Sequence, residues 1–378
     1  MVNRNIPFSC SDINDEDLAN VESVIRSGWL TSGKYSKKME ELFCEYTGAK
    51  FATAVSSCTA GLHLSCLAAG FGPGDEVIVS AQTHTATAHS VEFTGAQAVF
   101  ADVDPLSGNI LIEEIESKLT SATKGIIPVH MAGHPCEVVE LKEICENNGL
   151  TLIEDCAHAL GTNFHEKHVG NFGFTGNFSF YPTKQITTGE GGMVITNDEN
   201  TIRKIIRLKA FGIDTPHELR TKPGIYDVQA LGYNYRMTDF QAALGAGQIR
   251  RYEENVLKRR KNARLYCELL MDIGEVSFTR YTEANSYFLF QIILDDKINR
   301  DNALINLKEK GVGVSIHYAT PVPLMSYYAD KYGYKTEDFP NAVSYGNQSI
   351  SLPVHPKLSS SDIEYVCDTL SIIVKNNN

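Results

Sequence analysis

Between residues 50 and 155 the chain alternates short apolar, β-branched runs with stretches of helical period, and this constrains its fold more than any other feature. Phe51–Val55, Glu76–Ser80, Ala98–Val103, Ile126–Val129 and Leu150–Glu154 read as strands. Ala60–Ala69, Thr85–Phe93 and Val138–Asn147 read as the helices between them. Such a rhythm sets successive strands side by side in parallel, because each helix carries the chain back across a face of the sheet. The expectation is an α/β layered fold with a mostly parallel sheet flanked by helices. An opening helix is expected over Asn14–Arg26, with Asp12 or Asn14 as its cap and Gly28 just past its end.

The rhythm changes near residue 251. A long charged helix, Arg251–Asp272, precedes a strand at Tyr287–Leu294, a helix near Arg300–Lys310, a strand near Val312–Tyr318 and a last helix near Ser361–Val374. This reads as a smaller C-terminal α+β domain, so the expected division is 1–250 and 251–378. A chain of 378 residues is long enough for two cores. It has no internal repeat or low-complexity linker, which predicts that the two pack closely.

Charge and residue usage remove several functions. The net charge of −12 opposes the clustered positive field that nucleic acids require. No run reaches the roughly 18 apolar residues that span a bilayer, so neither nucleic acid nor membrane is expected as a partner. Residues 1–10 are polar, carry Arg4 and do not read as a signal peptide. Nine scattered cysteines without a CxxC pair suit a reducing, cytoplasmic setting. None of the eleven histidines pairs with a cysteine at ligand spacing, so no metal site is expected.

Three local signals carry chemistry. Lys184 sits between an aromatic-rich strand, Phe178-Ser-Phe-Tyr, and the glycine-rich Thr-Gly-Glu-Gly-Gly192. That setting would bury its amine, and desolvation favours the neutral, nucleophilic form; a surface lysine in a loop is the plain alternative. The apolar run Leu150–Glu154 leads to Asp155, where an open α/β sheet places its ligands. Asp155 is read either as a partner for the pyridine nitrogen of a cofactor or as a helix cap. After the first strand, Ser56-Ser-Cys-Thr-Ala-Gly61 offers small, hydroxylated residues at a helix start, suited to an anion or to simple capping. Ser179 stands five residues before Lys184 and could add a second hydroxyl. A phosphate turn, an acid at a strand end and a lysine after an aromatic strand, in that order, describe a site for pyridoxal 5′-phosphate (PLP).

The chain also resembles the DegT/DnrJ group of nucleotide-sugar aminotransferases, a branch of the fold-type-I PLP enzymes, almost end to end. The resemblance rests on Gly28-Trp-Leu-Thr-Ser-Gly33, Ser56–Gly61, Val129-His-Met-Ala-Gly-His-Pro135, Glu154-Asp-Cys-Ala-His-Ala159 and Ser179-Phe-Tyr-Pro-Thr-Lys184. It continues through Gly232-Tyr-Asn-Tyr-Arg-Met237, Ile316-His-Tyr318 and Ser351-Leu-Pro-Val-His-Pro356. It implies that Lys184 is the Schiff-base lysine and that Asp155 faces the pyridine nitrogen. His158 falls near the cofactor's phenolic oxygen and His84 at the position that stacks on its ring. Ser57, Cys58, Thr59 and Ser179 fall on phosphate-binding positions, with Cys58 departing from the more usual glycine. Asn234 matches a residue that reaches the phosphate from the neighbouring subunit, which implies a homodimer with shared sites. Thr31, Arg236, His317 and Tyr318 match substrate-side positions; His84 and His158 read equally well as packed core histidines.

The activity implied is transfer of an amino group from an amino acid, expected to be L-glutamate, to a keto-sugar, expected to be nucleotide-linked. A non-catalytic PLP-binding regulator and a PLP lyase or dehydratase on the same scaffold are the alternatives. The segments 211–229 and 310–335 are expected to shape the choice of sugar.

Overall fold

The computed structural model describes residues 4–214, 222 and 224–376. Part of the segment 211–229 therefore lies outside the described residues. The opening helix runs Asp15–Ser27, with Asn14 and Asp17 closing a reciprocal capping box. Gly28, at φ +73°, ends it in the left-handed region that glycine enters without a Cβ penalty.

The large sheet has seven strands: β1 (Phe51–Val55), β2 (Glu76–Ser80), β3 (Gln97–Ala101), β4 (Thr123–Ile127), β5 (Thr151–Asp155) and two later ones. After a small hairpin of β6 (Asn163–Phe164) and β7 (Lys167–His168) come β8 (Thr175–Ser179) and β9 (Gly192–Thr196). Their spatial order is β1-β9-β8-β5-β4-β2-β3. The pairs β2–β3, β2–β4, β4–β5 and β5–β8 are parallel, and β9 is antiparallel to both β8 and β1. Six strands thus share one direction and β9 opposes them. All six carboxyl ends, together with the start of β9 at Gly192, meet at one edge of the sheet. Val77, Ile78, Val79, Phe100 and Ile126 have no solvent exposure, as expected for strands covered on both faces.

A second sheet, β10 (Val276–Ser277), β11 (Phe290–Leu294) and β12 (Ser349–Leu352), is antiparallel. Its core gathers Tyr266 and Leu270 of the helix Tyr252–Leu270, Leu307 of Arg300–Glu309, and Val366 and Leu370 of Ser360–Asn376. Between β11 and β12 the chain leaves this core. Val322, Tyr328, Phe339 and Ala342 pack instead against Val79 and Phe100 of the large sheet.

Two sequence expectations fail here. Val312–Tyr318 is no strand: it makes only single bridges, Val312 with Ile6 and Ser315 with Ser351. Gly313 lies so close to the Ile6–Phe8 backbone that a Cβ would stand 2.4 Å from Phe8 N, so the run is pinned at points and not laddered. The strand expected from Tyr287 begins only at Phe290, because Tyr287 has φ +48°, which no strand residue adopts. Among the described residues, no helix is long and apolar enough to cross a membrane.

Candidate active site

The carboxyl edge of the large sheet opens into a cleft of about 420 Å³, at the place where α/β sheets present loops to ligands. Ser57, Cys58, Thr59, His84, Asp155, His158, Ser179, Lys184, His317 and Tyr318 all line it. Thr31, Asn234 and Arg236 do not. Thr31 and Asn234 are exposed; Asn234 Oδ1 accepts from Arg236 Nε (3.2 Å), and the Arg236 guanidinium lies 5.2 Å from the Phe211 ring centre.

Ser57 is the N-cap of the helix Cys58–Ala69, its Oγ accepting from Ala60 N–H (3.1 Å). The capping reading is therefore right for its acceptor lone pair. Cys58 and Thr59 occupy the first helical positions, whose N–H groups have no carbonyl within the helix, and both face the cleft. The turn is seated against Gly192, where a Cβ would stand 2.6 Å from both Cys58 N and Ser57 C. Burial pushes the Cys58 thiol well up, so it is a neutral group.

Asp155 ends β5, and no helix follows it. Oδ1 accepts from Ala157 N–H (3.0 Å) and Oδ2 from the Thr87 hydroxyl (2.8 Å), which holds the carboxylate without an ion pair. Burial raises its pKa, against these two donors and the more distant Lys184. Behind it, Glu154 accepts from the N–H groups of Gly170, Phe172 and Gly173 (2.7–2.8 Å) and from His130 Nε2 (3.2 Å). His130 Nδ1 accepts from Cys136 N–H (3.1 Å), so its proton sits on Nε2. Burial opposes a charge on Glu154, yet the His130 contact and the N–H groups outweigh it and keep the acid ionised. His130, Glu154 and Cys156 form a cluster of metal-ligand type, but both ring nitrogens of His130 and both oxygens of Glu154 are already engaged.

Lys184 lies in the connection between β8 and β9, its N–H donating to Tyr181 O (2.9 Å). Its Nζ stands 4.4 Å from the centre of the Phe288 ring. Burial lowers its pKa to about 8, against weaker opposing pulls from Cys58 and Asp155. His84 is no core histidine. It is exposed, caps the helix Thr85–Glu92 through Nδ1 (3.2 Å from Ala86 N) and meets the Tyr318 ring edge-on at 5.8 Å. His158 is buried, its ring tilted 31° against Phe288 with the centres 4.5 Å apart, and its Nε2 lies 3.3 Å from the Tyr318 hydroxyl. His317 shares Nδ1 with Ser351 Oγ (3.0 Å); burial, then Lys184 and His84, lower its pKa to about 3. Both histidines beside the lysine are therefore neutral near pH 7.

Several residues of the site were not legible in the sequence. Thr87, buried in the first turn of the helix Thr85–Glu92, donates to Asp155 and was read only as part of a helix. Phe288 comes from the C-terminal part of the chain, in a run that reads as core strand. Tyr181 and Glu190 flank the Lys184 loop at the cleft.

Fold and cleft together define a class: a fold-type-I transferase, with its lysine and strand-end acid at the carboxyl edge of a seven-stranded mixed sheet. Residues 11–371 match the model of the DegT/DnrJ/EryC1/StrS aminotransferase family, and the chain belongs to that family. It is 40% identical over 373 residues to an uncharacterised protein of Methanocaldococcus jannaschii, covering 97% of this chain and 96% of that one. It is 36% identical over 382 residues to the spore coat polysaccharide biosynthesis protein SpsC of Bacillus subtilis, covering 99% and 98%. The "Putative sugar aminotransferase" of Streptococcus pneumoniae in its PMP form superposes with a TM-score of 0.93 at 27% identity, covering 99% of this chain and all of that one. The same protein in its PLP form gives 0.92 at 28% identity.

Proposed function

We propose that the protein is a PLP-dependent sugar aminotransferase that takes its amino group from an amino acid, L-glutamate, and passes it to a nucleotide-linked keto-sugar. The observation that carries this reading is one cleft in which a lysine of lowered pKa lies among a helix N-terminus, a buried strand-end carboxylate and an unpartnered histidine nitrogen. The relatives support it, since the S. pneumoniae protein was solved with both the aldehyde and the amine forms of the cofactor. SpsC is named for polysaccharide biosynthesis.

The residues present fit PLP. The N–H groups of Cys58 and Thr59, with the hydroxyls of Ser57, Thr59 and Ser179, are neutral donors at a helix start, suited to a phosphate dianion. Asp155, held on two sides and short of an ion-pair partner among the described residues, is placed to accept a hydrogen bond from a protonated pyridine nitrogen. Nδ1 of His158, buried and without a partner among the described residues, calls for a ligand atom. When bound, PLP supplies an electrophilic aldehyde carbon and a ring that withdraws electrons from the carbon being deprotonated.

The chain's own work follows from these positions. Lys184 Nζ, neutral in part at pH 7–8, would hold the cofactor's aldehyde carbon and, as a free amine, is placed to move the proton taken from the donor's α-carbon. Asp155 would keep the ring nitrogen protonated. His317 and Tyr318 line the cleft and are our candidates for contact with the incoming sugar. The only cation lining the cleft, among the described residues, is Lys184. A dicarboxylate donor therefore needs a further positive group, and Arg236 of a second copy is our candidate.

The test is the visible spectrum of the PLP-loaded protein before and after L-glutamate. We expect loss of the visible band with formation of 2-oxoglutarate, and its return on adding an accepting keto-sugar. A band that ignores glutamate and other amino acids would identify a binding protein. Irreversible loss of the amino acid would identify a lyase.

A further inference from the structure

His158 carries an unsolved hydrogen-bonding problem that its neighbour Tyr318 resolves. The imidazole is 2% exposed, and Nδ1 has no partner among the described residues. Nε2 faces only the Tyr318 hydroxyl, at 3.3 Å. A neutral imidazole carries one proton, so one nitrogen donates and the other accepts. If Nε2 held the proton, the Tyr318 O–H would have to turn to another acceptor, and no other contact of that hydroxyl is seen. If Tyr318 donates to Nε2, the proton sits on Nδ1, a buried donor at the wall of the cleft. The second arrangement leaves one group unsatisfied and the first leaves two.

We propose that Tyr318 is a positioning residue that fixes the tautomer of His158, so that Nδ1–H is presented to an acceptor oxygen of the bound cofactor. The inference rests on the PLP reading above and adds a role for Tyr318 distinct from contact with the sugar. The surrounding structure keeps the pair in this state. Tyr318 is itself held by Gln82, whose side-chain N–H donates to Tyr318 O (2.7 Å), and Gln291 does the same to His317 O (3.2 Å). Phe288 packs against the His158 ring at 4.5 Å between centres, tilted by 31°. The charged and titratable groups facing the pair are Lys184 from the β8–β9 connection, His84 from its helix cap, His317 beside Tyr318, Asp155 from β5, Cys58 from the phosphate turn and Tyr345 from the helix Pro340–Gln348. Burial, then Lys184, His317 and His84 hold His158 neutral, and burial with Asp155 and Cys58 holds Tyr318 protonated. Both are thus in the forms that the O–H···N bond requires.

The experiment is a double-mutant cycle of Tyr318→Phe and His158→Gln with two readings. One is the pH midpoint of the visible band of the Lys184-bound cofactor. The other is the Kd of pyridoxamine phosphate, which cannot bond to Lys184 and reports only non-covalent contacts. With native His158, Tyr318→Phe should raise the midpoint by roughly half a unit to one unit, because a lost donor no longer stabilises the deprotonated form. It should weaken pyridoxamine phosphate about three- to tenfold, the size of one neutral hydrogen bond. With His158→Gln, Tyr318→Phe should change neither, since an amide N–H donates without a choice of tautomer. Equal effects in both backgrounds, or none with native His158, would overturn the inference while leaving the PLP reading intact. Absence of any visible band in the native protein would overturn both.

Discussion

Lys184 shows how a side chain becomes reactive through where it is placed. An ammonium removed from water and set against the face of Phe288 loses hydration that no carboxylate at contact distance replaces, so its proton is held less tightly. With a pKa near 8 and the neutral amine as nucleophile, the rate of covalent PLP capture by the apo-protein should rise through pH 7–9 and level off above. Stopped-flow absorbance would show this, and a rise continuing to pH 10.5 would mean an ordinary exposed lysine. Lys184→Ala should abolish the borohydride-fixed cofactor seen by mass spectrometry after denaturation. Pyridoxamine phosphate should still bind, because the phosphate turn and Asp155 remain.

At the scale of elements, the site is made by the ends of strands and the starts of helices. The phosphate turn keeps its shape because Ser57 caps the helix Cys58–Ala69 and Gly192 leaves room behind it. Ser57→Ala should cost about 1 kcal/mol of stability through the lost cap, measurable as a lower urea midpoint. Gly192→Ala should do more to function. Its Cβ would meet the backbone of Ser57, Cys58 and Phe178 at 2.6–2.8 Å, and none of these is a side chain that can swing aside. Pyridoxamine phosphate affinity should fall at least about tenfold, with a stability loss of about 1–3 kcal/mol; calorimetry with denaturation reads both. Unchanged affinity would show that the turn can be reseated without loss.

At the scale of the molecule, three of the predicted site residues lie outside the cleft of their own chain. Thr31 and Asn234 are exposed, Arg236 lies against the exposed Phe211, and their sequence neighbours Leu30, Val228 and Leu231 are exposed too, the last at 85%. Apolar groups left in water at this level favour a partner surface, and we propose that a second copy covers them. Leu231→Glu should then shift the protein toward monomer in sedimentation. Mixing Lys184→Ala with Asn234→Ala subunits gives a sharper test. If Asn234 serves the partner's phosphate, mixed dimers hold one complete site and regain glutamate-dependent loss of the visible band. If it serves its own chain, they regain nothing.

The sequence by itself determined the elements whose signals are local. Phe51–Val55 and Glu76–Ser80 were legible to the residue, because β-branched runs bounded by turn residues carry their own ends. The opening helix was legible to a choice between Asp12 and Asn14 as its cap, of which the structure takes Asn14, and to Gly28 just past its end. Lys184, Asp155 and the Ser57–Thr59 turn stood out because each needs a particular residue type at a strand or helix end. What only the tertiary structure decided depends on contacts across long separations. Periodicity does not show that β9 runs against its neighbours, since a buried strand reads alike in either direction. The failure of Val312–Tyr318 as a strand came from backbone pressed against Ile6–Phe8, more than 300 residues earlier in the chain. Phe288 reached Lys184 because Tyr287 turns out of the strand at φ +48°. The Tyr318–His158 pair joins residues 160 positions apart, and only the packing of both against the carboxyl edge of the sheet brings a hydroxyl to a ring nitrogen.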